Sequence, residues 1–348
     1  MDMFYTERGD RPDLAARAKL TQASIGGYAF PKLFPVLPVT ERAGDFSYAP
    51  VGMVTGTTNV AEARANGAEL TANALATVDF AWTTARLEAR TVIYANEVKG
   101  FGGIEAADGF GGEDCTRRAY NKVEIAAYDK VFSAARRGAK TELANHQVVT
   151  LLQKGALAQR KYGQPYLVMT SYGLLKFVNI PEVRARMFGE YGPTGAMNFI
   201  TGGQVQLAKA ISPLIGFEDI IVFDSEIVGS TYDDYIAIAS LRKEAMAGGT
   251  ALSGVAKSRA LYGFAAIYIP DPANNDQPFS VSSFDDRLNK ANYYDAESRY
   301  SLNELHADAV TVYDMLADIE DYSPIDARVV QVQVVNDEES PVITNDIG

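Results

Sequence analysis

The sequence predicts an α+β protein in which an extended apolar arm precedes two compact units. Three observations point to it. Residues 30–52 are strongly apolar yet carry Pro31, Pro35, Pro38 and Pro50, which remove backbone donors and push their predecessors into extended conformations. Residues 46–48 and 78–82 alternate between the two faces of a strand, with Phe46, Tyr48, Val78, Phe80 and Trp82 on one side. Tyr120, Val123, Ala127 and Val131 recur at helical spacing, and residues 165–170 form an apolar run of strand length.

The arm needs a cover. Phe30, Leu33, Phe34, Val36, Leu37 and Val39 would leave a large hydrophobic surface in water unless the chain's own domain or a neighbouring copy sheltered them. A weak helical pattern at 13–23 precedes the arm and is broken at Gly26-Gly27. Between the two alternating stretches, the polar residues 55–58 and 64–69 suit a long protruding loop.

Further along, residues 87–98 read as a short helical piece. Gly100-Phe101-Gly102-Gly103 and its echo Gly109-Phe110-Gly111-Gly112 read as a flexible connector, because neither has the spacing of a phosphate-binding loop. A long amphipathic helix is expected from Glu113 and Asp114 to Arg136-Arg137-Gly138, with charges matched to its dipole. A second helix is expected over 141–160, a buried strand at 165–170, a helix at 205–211 and strands at 220–223 and 264–269. A helix at 302–316 and a half-buried strand through Val330, Val332 and Val334 close the pattern, ahead of an acidic end.

The 348 residues (37.7 kDa) exceed the usual single-domain size. A formal net charge of -12 disfavours a protein whose main task is gripping phosphate backbones. One cysteine, Cys115, excludes an intramolecular disulfide and a cysteine zinc cluster. The first residues lack the basic start and apolar core of a signal peptide, and no apolar run reaches membrane-spanning length, so the expectation is a soluble, cytoplasmic chain.

Catalytic groups are sparse. His146 and His306 are the two histidines, and neither accompanies a nucleophile motif. Cys115 opens the expected helix, where a dipole lowers a thiol pKa, yet it lacks a Cys-His signature. The acidic pairs Asp224/Glu226, Asp233/Asp234 and Asp285/Asp286 do not have calcium-loop spacing. Ser230 follows Gly229, but Val228 and Tyr232 stand where a nucleophile elbow needs glycines, and Gly202-Gly203 has no serine beside it. No catalytic, cofactor-binding or metal-binding residue is assigned, and no cofactor is expected. A count of 19 tyrosines and 16 phenylalanines, which supply rigid contact area, instead favours interfaces.

In their order, these segments resemble the major capsid proteins of tailed bacteriophages with the HK97-like fold. The resemblance rests on Phe34-Pro35-Val36-Leu37-Pro38-Val39 leading into Phe46-Ser47-Tyr48, and on the loop from Arg64 to Glu69 before Val78-Asp79-Phe80. It rests equally on the long helix from Asp114, on residues 163–170 with Pro181-Glu182-Val183 downstream, and on residues 216–222. It implies an N-terminal arm (1–45), an extended β-hairpin loop (46–85), a peripheral domain with a spine helix (86–164), a mixed-sheet axial domain (165–325) and a C-terminal strand and tail (326–348).

The same resemblance implies a non-enzymatic structural subunit. Its copies form hexamers and pentamers of an icosahedral shell around double-stranded DNA, without sequence-specific DNA binding and without a membrane. Arm and loop would lie over neighbouring subunits, so that Phe34→Asp and Val36→Asp would leave subunits folded but unable to close. Expected partners are further copies of the chain, with scaffolding, portal and decoration proteins, and the expected location is the virion after assembly in the host cytoplasm. About thirty residues precede the arm, so scaffolding is expected from a separate protein or a trimmed precursor. Two other readings are an encapsulin-like nanocompartment shell and a soluble enzyme using the carboxylate pairs.

Overall fold

The computed structural model describes residues 9–10, 28–34, 36–48, 78–133, 148–160, 162–241, 263–268, 280–286 and 288–315. The expected helix at 13–23, the loop between the alternating stretches, His146, the residues beyond Met315 with their expected strand, and the start of the second helix lie outside them.

Two sheets and a two-stranded hairpin account for the strands. The larger sheet joins β1 (Gly9–Asp10), β2 (Val36–Val39), β5 (Ala85–Tyr94), β9 (Gly263–Tyr268), β10 (Ser280–Asp286) and β11 (Ala291–Glu304). β11 is its axis: it pairs antiparallel with β5 over ten residues, with β10 and then with β9, and β2 adds parallel to β9. The second sheet runs β12 (Val310–Asp314), β8 (Tyr235–Leu241), β6 (Gln164–Thr170), β7 (Ile220–Phe223). β3 (Ala43–Tyr48) and β4 (Val78–Thr83), the two alternating stretches, pair with each other alone among the described strands.

The helices are α1 (Phe30–Leu33), α2 (Ile104–Val131), α3 (Val148–Gln159), α4 (Ser171–Asn179), α5 (Pro181–Thr201), α6 (Gln204–Ile215) and the single turn α7 (Ser225–Val228). α2 lays Ala119, Val123 and Ala127 on Leu87, Ala89, Tyr294 and Ala296 of the larger sheet, and its C-terminal Tyr128 meets Phe223 at 5.3 Å and Tyr232 at 5.0 Å between ring centres. The long helix therefore joins both sheets. β6 is apolar on both faces for a reason visible in its register. Val168 faces the core shared with α2, whereas Leu167 and Met169 face a second core under α3 to α6.

Several expectations are corrected. Residues 87–98 do not form a helix: Leu87, Ala89, Thr91 and Ile93 are buried in alternation with exposed or half-exposed neighbours, and β5 occupies 85–94. The second glycine cluster is not a connector but the first turns of α2, which begins at Ile104, ten residues ahead of Asp114. Helix forms through Gly111 because the Tyr294 ring fills the space where a side chain would go: a Cβ there would run into it. The expected helix at 302–316 is instead the end of β11, a 3-10 turn at Ala307–Ala309 and β12. Leu302 pairs with Ala265 of β9 and Val310 with Ala239 of β8, and no helical stripe joins them.

Gly111→Ala is accordingly expected to destabilise the fold by about 1–3 kcal/mol through overpacking against Tyr294, despite the higher helix propensity of alanine. Urea denaturation with an unchanged m-value checks it.

The arm also differs from expectation. Phe30–Leu33 is a helical turn, with Pro31 in its first positions, where the missing N–H costs nothing. Phe30, Leu33 and Phe34 are buried in this chain's own core, Phe34 at 0% exposure, and Val36 to Val39 complete the sheet edge beside β9. The cover for the apolar arm is thus its own subunit at these positions. Val36, at 37%, remains exposed.

Candidate assembly surface

The residues weighed for catalysis are dispersed and already engaged. Cys115 lies inside α2, not at its start, and burial pushes its thiol pKa up to about 12, so it is not an activated nucleophile. His306 packs beside Tyr162 at 5.9 Å between ring centres, and burial lowers its pKa. Asp224 caps α7 by accepting from the Glu226 amide at 3.0 Å, and Asp233 accepts from Thr170 and from the Ser225 hydroxyl at 3.3 Å. Asp234 pairs with Lys176. Asp286 accepts from the Leu288 and Asn289 amides and from Asn289 Nδ2 at 2.7 Å, shaping the β10–β11 turn. Gly203 precedes α6 and Gly229 follows α7, both at positive φ, where Ser230 continues a turn. Among the described residues no group of three or more His, Cys, Asp or Glu is placed to hold a metal, and no helix is long and apolar enough to cross a membrane.

What the fold does present is contact surface. The β3–β4 hairpin is rooted where Phe80 meets Phe264 at 6.1 Å between ring centres and where Arg42 lies 5.7 Å from the centre of the Tyr268 ring. Trp82 sits against Gly44, whose missing side chain admits the indole. Beyond this root it is a two-stranded sheet, and an isolated hairpin is marginal in water. Such an element calls for a surface to lie on.

One end of the α2–β11 unit gathers large apolar side chains in water. Tyr94 ends β5 opposite Ala291, the Ala95 amide donates to the Lys290 carbonyl at 2.8 Å, and Leu288 stands in that same turn at 76% exposure. Across the 95–103 turns, Phe101 and Phe110 are in ring contact at 4.9 Å, and Ile104 is 66% exposed at the start of α2. Among the helices, Met197 of α5 and Val205 of α6 flank the Gly202-Gly203 turn, at 48% and 69%. Patches of this kind mark protein interaction sites.

The sheet face turned away from α2 is charged but internally matched. Arg90 holds Asp295 through two bonds of 2.6 and 2.8 Å and lies over Phe284 and Tyr293, and Arg86 pairs with Glu297 at 2.8 Å. On the buried side, Thr91, Arg117 and Arg118 all donate to Asp114, tying α2 to β5. Burial alone would raise the Asp114 pKa, but these hydrogen bonds outweigh it and hold it below the ordinary value.

Sequence reasoning named the arm and hairpin but not the two apolar patches. The signal for the first was Ile104 and Leu288 beside glycines and turn residues, where no buried stripe accounts for them.

No family model and no curated protein matches the sequence. Solved structures do. The chain is similar to a phage-related protein from Bordetella bronchiseptica RB50, with 15% identity and a TM-score of 0.53 over 89% of this chain and 98% of that one. It also overlaps a virus-like particle protein from Pyrococcus furiosus (8% identity, TM-score 0.47, 87% and 98% covered) and a chain of the bacteriophage PhiM1 mature capsid (10%, 0.45, 83% and 87%). The chain shares its α+β fold with the Bordetella phage-related protein: a long helix on a long-stranded sheet, a hairpin leaving it and a mixed sheet flanked by helices.

Proposed function

We propose that this chain is a structural, non-enzymatic subunit that self-assembles into the icosahedral capsid shell enclosing the double-stranded DNA of a tailed bacteriophage. The observation that carries this reading is the fold shared with a phage-related protein, combined with a β3–β4 hairpin that has no further strand partner among the described residues. A single copy leaves that hairpin and two apolar patches in water; a closed lattice of copies covers them.

The lattice would be built of hexamers and pentamers. Scaffolding, portal and decoration proteins are the further partners of this reading, with assembly in the host cytoplasm and residence in the virion. The net charge of -12 suits a wall that contains DNA without gripping it.

The domain division is redrawn as part of this proposal. β9, β10 and β11 share the sheet of β5, and α2 packs on β5 and β11, so the peripheral unit takes in residues 85–133, 263–268, 280–286 and 288–304, and the axial unit residues 148–160, 162–241 and 307–315.

Light scattering on the purified full chain tests the reading. Megadalton particles or hexamer-scale rings are expected; a folded monomer at every concentration overturns it, and particles that enclose a cargo protein in place of DNA redirect it to a nanocompartment.

A further inference from the structure

One charged side chain in the core has no part in the reading above. Glu124 lies on the buried face of α2 at 1% exposure. Its two oxygens each accept one backbone amide, from Ala29 at 2.8 Å and from Phe30 at 2.9 Å, at the point where the N-terminal arm enters the fold. One turn earlier, Asn121 accepts from the Tyr28 hydroxyl at 2.7 Å, and the Tyr28, Phe30 and Tyr120 rings close over the site.

We propose that Glu124 is a proton-operated latch, through which α2 seats the N-terminal arm by the Ala29 and Phe30 amides. These two amides precede the first full turn of α1 and have no helical acceptor, as at any helix start. Their acceptor is a carboxylate 94 and 95 residues away in sequence. At residues 29 and 30 the arm's backbone is therefore held by one titratable group, beside the packed side chains of Phe30, Leu33 and Phe34.

The charged and titratable groups that face Glu124 come from two elements. Lys32 and Tyr28 lie on the arm and Asp224 caps α7, while Arg117, on α2 itself, acts on Tyr28. Burial is the largest influence and raises the Glu124 pKa to about 7; Asp224 adds to it, while the two amides and Lys32 oppose it. Burial and the Glu124 charge together push the Tyr28 hydroxyl up to about 12.

The direction of the coupling follows. With the arm seated, the carboxyl holds its proton up to about pH 7; with the arm lifted, it meets water and returns to its ordinary 4.5. Seating thus takes up a proton between these values. It is firmest below pH 4.5, weakens as pH rises through 7 and is level above that. Over pH 5 to 8 the seating equilibrium is expected to fall by roughly 70-fold.

Hydrogen–deuterium exchange on the full chain, corrected for intrinsic exchange chemistry, reads the latch at the Ala29 and Phe30 amides. Residues 164–170 of β6 serve as the reference for global opening. Protection at 29–30 is expected to fall between pH 5 and 8 while β6 holds. Glu124→Gln, which keeps one acceptor and cannot ionise, is expected to flatten that dependence, and Glu124→Ala to lower protection at every pH. A wild-type profile that is flat at 29–30, or that β6 follows in parallel, overturns the latch, and so does a Gln variant with the wild-type slope. If the Gln variant does not fold, the wild-type profile decides alone. None of these outcomes depends on whether shells form.

Discussion

Phe34→Ala is expected to destabilise the isolated subunit by about 3–5 kcal/mol, the usual consequence of emptying a fully buried phenylalanine site. Phe34 has 0% exposure, its ring lies about one van der Waals contact from Gly263 of β9, and its amide closes α1 on the Phe30 carbonyl at 2.7 Å. Phe34→Asp is expected to abolish folding, because the carboxylate would be buried without a partner. Denaturant unfolding of the Ala variant, and expression in the soluble fraction for the Asp variant, check this. The sequence had suggested the reverse, a folded subunit unable to assemble. Three apolar arm residues docked on the chain's own core are the reason for the change.

The opposite outcome is expected at the exposed end of the α2–β11 unit. Leu288→Asp combined with Ile104→Asp should leave unfolding free energy within about 0.5 kcal/mol of wild type. Aspartate suits a turn and, at the start of a helix, favours the N-terminal dipole. Neither side chain packs in a core, at 76% and 66% exposure. Particle formation should nonetheless be lost, since two charges would be carried into what the shell reading makes a covered, apolar contact. Sedimentation velocity separates the two effects: folded, unassembled subunits support the reading, and normal particles remove this end from the assembly surface.

Elements whose pattern is set by their own neighbours were legible in the sequence. β6 declared itself as a continuous apolar run because Val168 and Leu167 face different cores, and β3 and β4 by alternation. α2 was legible from Tyr120 onward, where Val123 and Ala127 keep helical spacing.

The failures have a common cause: a distant partner overrode a local preference. Arg86, Glu88 and Arg90 are good helix formers, but β11 claims them as a strand, pairing them with Arg299, Glu297 and Asp295. Gly111 reads as a breaker until Tyr294 is seen against it. Composition showed that the arm needed a cover, and it left open which copy would supply it. That question is one of tertiary packing, and for Phe30, Leu33 and Phe34 the answer is the same chain. Glu124 was invisible for the same reason, since nothing near it in sequence marks an acceptor for amides at 29 and 30.

The central claim is that each copy completes its own core and leaves its hairpin and apolar patches to be covered by sister copies. Electron cryomicroscopy of the assembled full-length protein tests it most directly. The account predicts a closed icosahedral particle in which β3–β4 lies across an adjacent subunit, with Leu288 and Ile104 shielded from solvent. A particle in which the hairpin folds back over its own subunit and that end faces open water would contradict it.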